Sequence, residues 1–164
     1  FIGGNEMKKI FLLVAMLCLM FFSTACANKE KDFTCDELTI TLDSSFTESS
    51  QVGYNKVFLS KKYLVAITKN TTMESYNLDE FTELVEKNTN LKLDFIKDTT
   101  ASGVEMSYTL YDNFGANNIE YSYLSAFYKY NGTFFAMDMA VEKSKMSDKV
   151  KQQFITWAKS VTFN

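Results

Sequence analysis

The chain opens its hydrophobic pattern with an unbroken apolar run, Ile10 to Phe22, and then never repeats it. Thirteen residues are too few to span a bilayer, which takes roughly 20. Further on the pattern becomes alternation. Leu38, Ile40 and Leu42 are separated by threonines, a period of two that predicts a strand with one face buried. Segments 55–60 and 63–69 read as two strands joined tightly at Lys61-Lys62. Further strands are predicted over 91–97, 104–111, 119–130 and 133–142, with a short last one at 161–163. Between the two longest stands Asn131-Gly132, a pair that tolerates the positive φ angles of a type I′ hairpin turn.

Two segments switch to a helical period. Over 78–87, Leu78, Phe81, Leu84 and Val85 share a face, and Asn77 with Glu80 has the spacing of a capping box. Over 148–160 the stripe is Val150, Phe154, Trp157, Ala158 and Val161, with Ser147 as N-cap. The segment 133–142 is apolar on both sides: Phe135, Met137, Met139 and Val141 on one, Phe134, Ala136 and Ala140 on the other. A sheet with two apolar faces needs cover on both. The predicted fold class is therefore α+β, a largely antiparallel sheet with two helices packed on it, in one domain over 33–164.

Ahead of the domain the pattern is that of an export signal. Residues 1–6 are read as untranslated leader, because Ile-Gly-Gly-Asn-Glu-Met is what a purine-rich ribosome-binding stretch before an ATG would spell. From Met7, Lys8 and Lys9 form a positive start and 10–22 the apolar core. Ser23-Thr24-Ala25-Cys26 then resembles the lipobox of bacterial lipoproteins, although Ser23 stands where that box usually has Leu. The resemblance implies a signal peptide over 7–25, cleavage before Cys26, and a diacylglycerol (palmitate-type) lipid on its thiol. Asn28-Lys29-Glu30-Lys31-Asp32 would complete a tether over 26–32, leaving the domain lipid-anchored on the extracytoplasmic face of a bacterial membrane. Two other readings share the letters. Ala25-Cys26-Ala27 is an A-x-A site whose cleavage would release a soluble secreted protein, and an uncut leader would be an anchor.

Composition narrows the chemistry. Hydrophobic residues are 46% and aromatics 15%, ample for a core. Net charge is −3, and without the leader 15 lysines face 19 acids, so nucleic acid is not an expected partner. There is no His, no Arg and no Pro. The commonest general base, the commonest transition-metal ligand and the bidentate phosphate clamp are thereby removed. No enzyme, metal or cofactor is expected. With Cys18 in the leader and Cys26 lipidated, Cys35 is alone and reads as a small, unreactive residue near the first strand. An unlipidated Cys26 would instead leave a Cys26–Cys35 bridge open.

Three clusters carry candidate sites. The stretch from Asp112 to Glu120 offers oxygen ligands around Gly115, but lacks calcium-loop spacing and reads better as a hairpin turn. Asp79, Glu80, Glu83 and Glu86 read as the solvated side of a helix rather than a catalytic pair. Tyr121, Tyr123 and Phe127 fall on one face of their strand, and Tyr128 and Tyr130 on the other, as packing or as a partner surface.

The element order, the long hairpin of 121–130 with 133–141, and the ending from Phe154 through Trp157 to Val161 and Phe163 are similar to the PsbP-like superfamily, which holds photosystem PsbP subunits, Ran-binding Mog proteins and DcrB-type lipoproteins. That family's early Pro-x-x-Trp turn is replaced here by Asp43-Ser44-Ser45-Phe46. The resemblance implies a non-catalytic module that docks on other proteins and transfers no site residue. The functional expectation is an envelope interaction module partnered by another envelope protein. The second expectation is a binding protein for a small apolar or aromatic ligand, with ligand-binding residues unknown.

Overall fold

The computed structural model describes residues 29–89, 91–115 and 118–164. Cys26, the signal peptide at 7–25 and the stretch 1–6 lie outside them. The described chain runs β1 Glu30–Cys35, β2 Leu38–Asp43, β3 Thr47–Ser49, β4 Lys56–Leu59, β5 Leu64–Asn70, α1 Leu78–Thr89, β6 Ile96–Thr99, β7 Glu105–Phe114, β8 Glu120–Tyr130, β9 Thr133–Glu142, α2 Asp148–Lys159 and β10 Thr162–Phe163.

Seven strands form one sheet in the order β3-β4-β5-β9-β8-β7-β6, and all its pairings are antiparallel. A second sheet, β1-β2-β10, is also antiparallel. The long β8–β9 hairpin holds the centre. It closes through Asn131 and Gly132 at φ 47° and 76°, the conformation that Asn-Gly adopts with least strain.

The two apolar faces of the large sheet are covered differently. One carries Met106, Leu124, Ala126, Tyr128, Phe135, Met137, Met139 and Val141. It packs against α2 and the inner face of the small sheet, which contributes Phe33, Leu38, Ile40 and Leu42. Trp157 lies buried there, 5.2 Å from Phe46 and 5.5 Å from Tyr63 between ring centroids. Hydrogen bonds fix the helix: Tyr128 Oη donates to Ala158 O at 2.9 Å, and Ser160 Oγ accepts from Thr41 N at 3.1 Å. The opposite face is covered by α1, whose Leu78 and Phe81 sit on Phe127 and Phe134; Phe81 and Phe134 stack at 4.1 Å.

Both helix starts follow their sequence signals. Asn77 Oδ1 accepts from Glu80 N at 2.9 Å while Glu80 Oε2 accepts from Asn77 N at 2.7 Å, a complete capping box. Ser147 Oγ accepts from Val150 N at 3.3 Å at the start of α2.

Four elements depart from the sequence pattern. β1 takes in Glu30, Lys31 and Asp32, which the charge pattern placed in the tether; their main chain pairs with β2, and only Phe33 and Cys35 turn inward. The pairing of β2 with β1 and β10 builds a second sheet that periodicity alone does not announce. β3 is three exposed residues at the sheet edge. The segment 91–97 alternates like a strand, yet pairing begins only at Ile96, because Leu93 is buried and Phe95 packs into the α1 cluster.

Candidate docking face

Antiparallel register sets side chains into rows across the large sheet. On the face that α1 shares, the rows are read directly from the pairing. Phe134 and Lys129 form one with Asn70, and Thr68, Ala136, Phe127 and Ser107 form the next. The α1 cluster takes Phe134, Ala136 and Phe127 from these two rows. Beyond them lies Val57–Ala66–Asp138–Ser125–Thr109, then Leu59–Leu64–Ala140–Tyr123–Tyr111, then Glu142–Tyr121–Asn113. None of these residues belongs to the α1 cluster.

The Leu59–Tyr111 row is apolar and aromatic from strand to strand. Leu59 is 38% exposed at one end; Tyr111 and Tyr123 stack at the other, with centroids 5.3 Å apart and planes at 11°. Tyr121 leans on Tyr123 at 6.3 Å. Tyr54, from the β3–β4 connection, lies close enough to influence the titration of Tyr111 and Tyr123. Desolvation raises the pKa of both hydroxyls above the usual tyrosine value. Val52 adds exposed apolar surface in the β3–β4 connection, while the exposed Phe114 at the end of β7 falls on the opposite face of its strand.

Asp138 is the charged member of the Val57–Thr109 row. Its carboxylate accepts the Ser125 hydroxyl, and Ser125 Oγ lies 3.2 Å from Tyr111 Oη. Burial pushes the carboxyl above its ordinary pKa, and the Ser125 hydrogen bond only partly opposes that shift. Among the described residues no lysine forms an ion pair with Asp138. Next in the row, the buried Thr109 hydroxyl has no hydrogen-bond partner among the described residues. A row with a carboxylate and a spare hydroxyl is not built for packing alone.

The other candidate residues are occupied within the fold. Asp112 and Glu120 share Lys143, at 3.2 and 2.7 Å, and the Ser122 hydroxyl, followed by Lys143, lowers the pKa of Asp112. Among the described residues no group of three metal-ligating side chains stands together. Asp79 pairs with Lys97 at 2.7 Å, Glu80 caps α1, and Glu86 accepts from Leu93 N at 3.1 Å. The tyrosines divide between faces as the alternation predicts: Tyr128 is fully buried and Tyr130 stacks on Phe163 at 4.7 Å. Cys35 is a buried free thiol with its pKa raised to about 11, chiefly by desolvation and then by Asp36.

Two depressions are open to solvent. One, of about 380 Å³, is lined by Tyr111 and Tyr123 together with Asp112, Ser122 and Asp148. The other, of about 860 Å³, is rimmed by Glu30, Asp43, Lys61, Lys62 and Lys149. Neither has the enclosed, mostly apolar lining of a small-molecule site. No described helix is long and apolar enough to cross a membrane.

The sequence matches no family model and none of the curated proteins. Solved structures do match. The chain is similar to the cyanobacterial PsbP protein of Synechocystis sp. PCC 6803, with TM-score 0.63 and 14% identity over 86% of this chain and 96% of that one. It is similar to the Ran-binding protein Mog1p of Saccharomyces cerevisiae, with TM-score 0.55 and 11% identity over 84% and 96%. A structure from Bacteroides thetaiotaomicron VPI-5482 gives TM-score 0.60 and 14% identity over 82% of this chain, which spans about half, 48%, of that longer one. The chain therefore has the PsbP/Mog-like fold, an α+β architecture of two helices on antiparallel sheets. In place of a Pro-x-x-Trp turn, Asp43 Oδ1 accepts from Ser45 N at 2.9 Å, and Phe46 delivers the aromatic ring onto Trp157.

Proposed function

We propose that this chain is an exported, non-catalytic interaction module, anchored at the cell envelope through lipid on Cys26, that docks another envelope protein on the tyrosine-bearing face of its large sheet. The observation that carries the reading is the Leu59–Leu64–Ala140–Tyr123–Tyr111 row, apolar over five strands and outside the cover of α1. Protein-binding surfaces combine aromatic side chains with few charges at their centre. The Mog1p structure is that of a Ran-binding protein, and its fold likeness agrees with a binding role. A ligand-carrying role needs an enclosed cavity, and the described depressions are open and charged.

The test is site-specific photo-crosslinking in intact cells, with the reactive group at Leu59 or at Gln152, an exposed position on α2. Position 59 should yield one discrete protein adduct and position 152 none. The same adducts from both positions, or none from position 59, would contradict the docking face. Lipid attachment is read separately from membrane fractionation of Cys26→Ser.

A further inference from the structure

The first strand begins very close to the proposed lipid. Glu30 is already paired with Asp43 of β2, and the carbonyl of Lys29 accepts from Ser44 N at 2.6 Å, so the chain is held to the fold from residue 29 onward. From Lys29 back to Cys26 there are three residue steps, which reach at most about 11 Å when fully extended. A lipid on Cys26 would therefore keep one particular end of the domain beside the membrane surface. It is the end where β1 starts, β2 finishes and the β4–β5 turn lies. The larger depression opens there, where Glu30 and Asp43 meet Ser60, Lys61, Lys62 and Lys149.

Lys61 and Lys62 are exposed at the tip between β4 and β5, and Lys149 is exposed in the first turn of α2. Among the described residues none of these lysines, nor the exposed Lys29, forms an ion pair. At the opposite end of β5, by contrast, Lys69 is neutralised by Glu37 at 2.8 Å and Asp36 at 3.8 Å. Lys29, Lys61, Lys62 and Lys149 against Glu30 and Asp43 leave a local excess of two positive charges around the depression, in a chain of net charge −3. Lysines without counter-charges gain by approaching an anionic lipid surface, provided that they are held within about a Debye length of it, roughly 8–10 Å at ordinary ionic strength. The short reach from Cys26 supplies that condition. We infer that this end of the domain rests on the membrane that carries the anchor, with Lys61, Lys62 and Lys149 against anionic phospholipid headgroups. The inference rests on the lipid proposed above and adds an orientation to it: the β4–β5 tip faces the bilayer and the Asn131-Gly132 turn points away. No run of lysines in the sequence encodes the cluster, because Lys149 joins Lys61 and Lys62 only where α2 lies beside the β4–β5 tip.

The full-length mature protein, purified from membranes, is placed in nanodiscs of phosphatidylcholine alone or of phosphatidylcholine with phosphatidylglycerol. Its intact mass first reports the lipid on Cys26. A limiting dose of an amine-acylating reagent, read lysine by lysine by mass spectrometry, then reports contact. Lys97 is the internal control: it is exposed, and its row, Thr68–Ala136–Phe127–Ser107–Lys97, lies four residues further along β5 than Leu64. In the phosphatidylglycerol discs Lys61, Lys62 and Lys149 should be acylated several-fold less than in phosphatidylcholine alone, and Lys97 should not change. Salt at about 1 M should abolish the difference, since the Debye length then falls to about 3 Å. A lipidated protein whose three lysines react equally in both discs would overturn the inference and leave the anchor standing. Equal protection of Lys97 would also overturn it, because the charge would then act without orientation. Protection in intact cells but not in the discs would assign the cluster to an acidic partner protein and overturn it as well. A mature chain without lipid on Cys26 would overturn the anchor and the inference together.

Discussion

The hydroxyl of Tyr128, near the end of β8, donates to the carbonyl of Ala158 in the last turn of α2 at 2.9 Å, so the central strand and the C-terminal helix hold one another in register. Burial raises the pKa of Tyr128 well above 10.0, so the folded state retains a proton that the unfolded chain loses. Its contribution is complete below pH 10 and is lost as pH rises beyond, because the unfolded chain then binds fewer protons than the folded one. Tyr128→Phe should cost about 1 kcal/mol at neutral pH, read as a lower urea midpoint at unchanged slope. The variant should also show a shallower loss of stability above pH 10 than the wild-type protein.

Trp157 is the largest single packing element of α2, buried among Phe46, Tyr63 and Phe154. Trp157→Ala should destabilise the domain by about 3–5 kcal/mol. An unshifted denaturation midpoint would contradict the packing. Its role was legible in the sequence from the helical stripe alone.

Asp138→Asn should raise the stability of the protein, because burial disfavours the charged carboxylate. The sign follows from the raised pKa. Asp138 is least costly below the ordinary carboxyl range near 3.8, and stability is lost as pH rises through its folded value. Asn keeps an acceptor for Ser125 and removes the charge. Urea denaturation at pH 7 measures it, and a destabilised variant would mean that the carboxylate is needed for the fold.

Local signals are legible where a single stretch contains the whole physical cause. Asn77 with Glu80, Ser147, and Asn131-Gly132 each act within four residues, and each is found in its expected role. What escaped depends on pairing between distant segments. β1 looks like a charged tether because Glu30, Lys31 and Asp32 are stabilised by main-chain bonds to β2, a partner that composition does not reveal. Leu93 and Phe95 alternate like strand residues, but Phe95 packs into the α1 cluster and the Leu93 N–H is held by Glu86 of α1. The docking face was half visible, since Tyr121 and Tyr123 were placed on one side of their strand. Leu59, Leu64, Tyr111 and Asp138 join them only through register across five strands, and no spacing within one segment encodes that row.

The lipid anchor is a proposal on residues outside the described ones. Cys26→Ser should abolish lipid incorporation and move the protein from the membrane to the soluble fraction, measured by fractionation and intact mass. A wild-type soluble chain beginning at Asn28 would contradict the anchor and favour the secreted alternative.

The central claim is that the tyrosine-bearing face is covered by a partner in the cell, and two tyrosines provide an internal comparison. Tyr54, beside Tyr111 and Tyr123, is 38% exposed, and Tyr76, ahead of α1, is 40% exposed. In the purified protein the two should therefore be modified to similar extents by a tyrosine-specific footprinting reagent. In intact cells Tyr54 should be protected several-fold relative to Tyr76. Equal modification of the two in cells would contradict the account.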